Sequence, residues 1–165
     1  MANENLQQLY VDQLRDLYNA EQQILKALPK MAEKAKHPGL KEGFRFHEEQ
    51  TRQHAQRLER IFDMLGQRPT GEKCKGMEGV LDEGAETMKK YDNPDVADAA
   101  MIAAAQRVEH YEIAGYGAVR TFAKELGLND QEQLLQQTLN EEGNMDHKLS
   151  QLAEQVVNID ALRAD

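Results

Sequence analysis

Apolar residues recur along this chain in steps of four and three, the spacing that lays one stripe along an α-helix. The first stripe reads Tyr10, Leu14, Leu17, Glu21, Ile24, Leu28, Met31 and Ala35. It predicts a helix over about residues 5–35, with Pro29 as a place where it can bend. After His37-Pro38-Gly39 a second stripe, Leu40, Phe44, His47, Thr51, His54, Leu58, Ile61 and Leu65, predicts a helix over 40–65. Residues 66–76 then read as a loop, and 77–91 as a short amphipathic segment with Met77, Val80, Leu81 and Met88 toward one side.

Asn93-Pro94 supplies a capping residue followed by proline at the first helical position. The third stripe, Ile102, Ala105, Glu109, Glu112, Tyr116, Val119, Ala123 and Leu126, predicts a helix over 94–126 that ends at Gly127. Asn129 or Asp130 is expected to cap the last helix, 130–157, whose stripe reads Leu135, Leu139, Glu142, Asp146, Leu149, Ala153 and Val156. Residues beyond Asn158 are expected to fray. Short connections after the first and third helices, with a long crossover over 66–93, describe two antiparallel hairpins. The expected fold is one all-α domain over 1–165: a ferritin-like four-helix bundle with a short extra helix in its crossover.

Composition narrows the function. With 29 acidic against 20 basic residues the net charge is −9, which repels nucleic-acid phosphates and anionic lipid surfaces. The densest basic cluster, around Lys73 and Lys75, is too small to reverse that. No stretch approaches the roughly 20 apolar residues of a membrane span. The single cysteine, Cys74, has no internal disulfide partner, and Met1-Ala2-Asn3-Glu4 lacks the basic and apolar regions of a leader. A soluble cytoplasmic protein is the expectation.

Each stripe is apolar at its ends and polar in its middle: Glu21; His47, Thr51 and His54; Glu109 and Glu112; Glu142 and Asp146. Carboxylates inside a bundle each lose several kcal/mol of hydration, against a total stability of about 5 to 15 kcal/mol. No Lys or Arg occupies a central stripe position, so protons or divalent cations must do the neutralising. Carboxylates with imidazoles suit iron or manganese, and the lack of thiolates excludes a cysteine-type zinc site.

The recipe for two metals in a bundle takes one Glu from each of two helices and a Glu-x-x-His pair from each of the others. This chain bends it. Helix two offers His47, Gln50 and His54, with Gln50 where a carboxylate is expected; helix four offers Glu142 and Asp146 without an inward His. Helix three supplies Glu112 beside Glu109 in compensation. A weak internal repeat relates Glu21 to Glu112 over 91 residues, and Gln50 to Glu142 and His54 to Asp146 over 92. The candidate metal ligands are therefore Glu21, His47, Gln50, His54, Glu109, Glu112, Glu142 and Asp146. Tyr116, one turn beyond Glu112, reads as a core tyrosine, with a hydrogen bond to a ligand as the alternative, and Tyr18 likewise; Cys74 reads as an incidental loop residue, and Gly115 and Gly117 as points of close helix approach.

Three stretches carry a likeness: 73–80 (KCKGMEGV), 103–114 (AAAQRVEHYEIA) and 138–142 (TLNEE). They resemble the YciF-type family of ferritin-like, stress-associated bacterial proteins, over nearly the whole chain. The resemblance implies a ferritin-like bundle, a homodimer and a dinuclear metal centre. It also implies that a Glu usually stands where this chain has Gln50. Two functions compete. One is a dinuclear iron or manganese protein of the stress response that consumes oxygen or peroxide. The other is a non-catalytic dimeric binding or scaffold protein whose polar core is protonated or vestigial. A carboxylate-bridged oxygenase acting on an organic substrate is a third.

Overall fold

A computed structural model describes residues 4–164. Residues 1–3, on which the reading of a leader rests, lie outside it. Every regular element among the described residues is helical: α1 Leu6–Lys34, α2 Pro38–Leu65, α3 Lys75–Lys90, α4 Pro94–Glu125, α5 Asn129–Leu152 and α6 Asn158–Leu162. A π-type turn, Ala153–Val157, joins α5 to α6.

The capping chemistry sets most boundaries. The Asn5 side chain accepts from Gln8 N–H at the start of α1, and Asn93 accepts from Asp95 and Val96 at the start of α4. Gly66 ends α2 at φ 62°, a left-handed conformation that glycine adopts without strain. Pro29 lies inside α1 on its exposed side and does not end it. The expected cap at Asn129 or Asp130 is not used: Leu128 holds the cap position with no side-chain bond.

α1 packs along α2 and α4 along α5, while α1 also meets α4 and α2 meets α5. Both hairpins are antiparallel, because Tyr18 reaches Glu59 while Arg15 reaches Gln67, and Arg120 faces Glu132 while Gln106 faces Ser150. Asp98 closes the α1–α2 corner from α4, accepting from the N–H groups of Lys36 (2.9 Å) and His37 (2.6 Å). Two apolar clusters fill the interior. One is built around Ile24, Leu40, Phe44, Met101 and Leu149 with α3 against it; the other around Tyr10, Leu14, Leu58, Tyr116 and Leu135. A buried polar layer separates them.

The last helix departs from its expected register. Its buried residues are Gln131, Leu135, Thr138, Glu142, Met145 and Leu149, so Leu139 and Asp146 sit at the edge. Leu135, Glu142 and Leu149 belong to either register, and only packing chooses Thr138 and Met145 between them. The π turn then adds a residue to one turn and buries Val157 in place of Val156. The chain past Asn158 continues as α6 rather than fraying at once.

Two further expectations change. Cys74 is fully buried and caps α3, its sulfur accepting from Met77 N–H at 3.3 Å and lying 3.2 Å from Asp16 Oδ2 and 3.1 Å from Tyr111 Oη. Burial pushes its thiol pKa up, which is the opposite of an activated cysteine. Gly76 leaves room for the Tyr111 ring, since a Cβ there would lie 2.5 Å from its hydroxyl oxygen. Gly115 does admit a close neighbour, Leu17, at 2.7 Å from a built Cβ, but Gly117 has open space around it.

Candidate metal centre

Four helices each turn polar side chains into the layer between the two apolar clusters: Glu21 from α1, His47 and His54 from α2, Glu109 and Glu112 from α4, and Glu142 from α5. None is more than 2% exposed. They form two groups of three donors whose atoms lie within 4.8 Å of one another, Glu21–His54–Glu142 and His47–Glu109–Glu142. Glu142 belongs to both. Its Oε1 lies 2.9 Å from His54 Nδ1, and its Oε2 lies 4.0 Å from His47 Nε2. His54 Nδ1 is also 3.5 Å from Glu21 Oε1, and His47 Nε2 is 3.0 Å from Glu109 Oε1.

Many of these atoms converge without pairing. Glu21 Oε2, Glu109 Oε2, Glu142 Oε2, both oxygens of Glu112 and His47 Nδ1 are buried and have no hydrogen-bond partner, and His54 Nδ1, though 2.9 Å from Glu142 Oε1, makes no aligned bond. Buried polar atoms left unmatched are costly, and so many at one point require a cation or protons. These oxygen and imidazole nitrogen donors, in two groups that share one carboxylate, are of the kind that could hold a metal ion.

The electrostatics record the cost. Burial first, then neighbouring negative charge, pushes Glu142 up to about 7; burial pushes Glu109 up to about 7. Glu112 is raised further, by burial and then by Glu21 and Glu142. Glu21 is raised by burial, and His47 is lowered by it. For His54, burial acts to lower the value, but contact with Glu141, Glu142 and Glu21 outweighs it and carries the group to about 12.

Outside the donors lies a supporting set that the sequence reading did not pick out. His54 Nε2 is 2.9 Å from Glu141 Oε2, and Glu141 is gripped by Arg57 through two bonds of 2.7 and 2.9 Å. Although burial acts to raise it, Glu141 is brought down to about 2 by His54 and Arg57. It therefore accepts from Nε2–H and leaves Nδ1 as the inward nitrogen, the usual way a carboxylate orients a metal-binding imidazole. Arg57 stands three residues after His54 and Glu141 directly before Glu142, spacings that could have suggested the pair. The Tyr116 hydroxyl donates to Glu21 Oε1 at 2.5 Å, the ligand contact that stood as the alternative to an ordinary core tyrosine.

Of the eight expected ligands, six lie in the layer. Gln50 is half-buried beside His47, with its own Oε1 buried and unpaired. Asp146 faces the α4–α5 edge, accepting from Gln106 Nε2 at 3.2 Å with His110 Nδ1 at 3.4 Å. The helix register explains the place of Asp146. A single offset of 91 residues pairs buried positions in the two hairpins: Glu21 with Glu112, Phe44 with Leu135, Thr51 with Glu142, His54 with Met145, and Leu58 with Leu149. The offset of 92 is thus one residue out. The position in α2 that answers Glu142 is Thr51, whose hydroxyl donates to His47 O at 2.8 Å.

The family described as a domain of unknown function, DUF892, matches residues 5–162. Protein YciF of Escherichia coli strain K12 is 37% identical over 159 residues, 96% of each chain. The crystal structure of the E. coli stress protein YciF superposes with a TM-score of 0.89 at 36% identity, covering 94% of this chain and 98% of that one. YcfI of Rhodopseudomonas palustris, described as a candidate structural protein, gives 0.87 at 42% identity over 91% and 97%. A Xanthomonas campestris protein shares the fold, with a TM-score of 0.78 over 96% and 98% at 24% identity. No helix among the described residues is long and apolar enough to cross a membrane.

Proposed function

The chain belongs to the DUF892 family, that of the stress protein YciF, and from that premise we propose that it is a ferritin-like four-helix bundle holding two divalent ions, iron or manganese. The observation that carries this reading is the pair of donor groups sharing Glu142, with so many buried donor atoms converging unpaired. Glu21, His54 and Glu142 would hold one ion, and His47, Glu109 and Glu142 the other. Glu112, unpaired on both oxygens, is the carboxylate free to add or withdraw a contact.

Bound iron or manganese supplies one-electron redox chemistry toward oxygen or peroxide. The protein's part is to hold the site dry, to orient His54 through Glu141 and Arg57, and to steady Glu21 through the Tyr116 hydroxyl. The setting is a homodimer acting in the cytoplasm under stress. A second reading, a binding or scaffold protein with a protonated layer, draws support from the raised pKa values of Glu109 and Glu142 and from the description of the Rhodopseudomonas relative.

Elemental analysis of protein purified without chelators decides between them, beside Glu109→Ala and Glu142→Ala. Two iron or manganese ions per wild-type chain, with Glu142→Ala losing both, supports the metal reading. No ion after reconstitution, with both variants melting as wild type, leaves the scaffold.

A further inference from the structure

The donor layer is buried, yet one apolar path approaches it. Between α1, α3 and α4 lies an open groove of ≈ 310 Å³ whose rim carries Lys26, Lys30, Glu78 and Asp82. Deeper in the core is a void of ≈ 10 Å³ that touches Glu109, a member of the second donor group. Groove and void share four lining residues: Ala27, Met31, Leu81 and Val108. Those four form the partition between solvent and the layer, and Leu81 comes from the crossover helix α3, so the path passes beneath α3.

The void has room for about one water-sized molecule. Apart from Glu109, its wall is entirely apolar, including Ile24, Leu28, Phe44 and Ala105. With Glu109 as the one polar residue of its wall, the void cannot give a water the two to four partners it needs, and it excludes ions, which cannot shed their hydration there. Hydrogen peroxide, which needs donors and acceptors along its way, is disfavoured for the same reason.

We infer that this passage admits dioxygen to the Glu109 side of the layer, with Leu81 of α3 as its constriction. The inference rests on the metal reading for its purpose but not for its test. In metal-free protein, dissolved dioxygen should enhance methyl-proton relaxation at Ile24 and Leu28, 2% and 4% exposed, beyond that at Leu17 and Val11, which are 2% and 5% exposed in the other apolar cluster. Leu81→Trp should remove that excess, and Leu81→Ala should enlarge it. Equal enhancement in the two clusters, or an excess indifferent to both substitutions, overturns the passage.

Metal content is measured separately. Leu81→Trp should keep the wild-type content, so a loss of metal in wild type speaks against the site and a missing relaxation excess against the passage. In ferrous-loaded protein, Leu81→Trp should slow oxidation by dioxygen more than oxidation by peroxide. Equal slowing would overturn the choice of dioxygen.

Discussion

The first hairpin, α1 with α2, brings two imidazoles and one carboxylate to the polar layer; the second, α4 with α5, brings three carboxylates and no imidazole. Yet the two are built on one pattern, because buried positions correspond at an offset of 91 residues. Glu21 keeps its counterpart in Glu112, whereas His54 answers Met145, His47 answers Thr138 and Thr51 answers Glu142. The scaffold repeats and the chemistry does not. One half supplies the nitrogen donors and the other most of the negative charge, so neither hairpin could assemble a site alone, and Glu142 joins the two donor groups.

Making the halves alike should break this division most severely. Thr51→Glu adds a carboxylate at the fully buried position that answers Glu142. Metal-free protein should lose about 3 kcal/mol or more, the scale of an uncompensated buried charge, with much of it recovered when iron or manganese is added. A urea melt with and without metal checks this. An unchanged metal-free midpoint would show that the correspondence carries no energetic weight.

The acidic half also sets a pH dependence. Glu109 and Glu142 rise from 4.5 to about 7 on folding, so between those values the folded metal-free protein binds protons that the unfolded chain has released. Its stability should therefore fall as pH rises from about 4.5 through about 7. His54, raised from 6.5 to about 12, continues the decline above 6.5. His47, kept neutral by burial, works the other way as pH rises toward 6.5. Melting temperatures from pH 5 to 8 should fall in metal-free protein, and Glu109→Gln should flatten the slope.

The two donor groups should also separate. Arg57→Met frees Glu141 and loosens His54, weakening metal at the Glu21–His54–Glu142 group by about 10- to 100-fold while leaving the His47 group intact. Competitive chelator titration should then resolve two affinities where wild type shows closer ones. Asp146→Asn should do least: unchanged metal content and a stability change within about 0.5 kcal/mol. Loss of an ion in that variant would return Asp146 to the ligand set.

Much of this was legible beforehand. The stripes of α1, α2 and α4 run along the buried faces of those helices, because apolar residues flank each polar centre and leave one register that buries both ends. In α5 the flanks agree with two registers, and Asp146 is as good a mid-stripe acid as Met145 is an apolar neighbour. Pattern alone could not choose. Glu141 and Arg57 were missed because they lie beside the stripes, where charged residues ordinarily read as solvated surface. Cys74 was missed because a cysteine in a polar loop gives no sign of the helix it caps.

The sequence by itself determined the four long helices, their boundaries outside the last one, the hairpin connections and an expensive polar layer, since helical periodicity and capping are local and burial cost follows from residue type. Only the tertiary structure decided which polar groups face one another. Rotations of a helix by one residue place Met145 or Asp146 inward at little local cost, and the choice is made by packing against α2 and α4. The sharing of Glu142, the grip of Glu141 and Arg57 on His54, and the passage beneath α3 depend on atoms far apart in the chain.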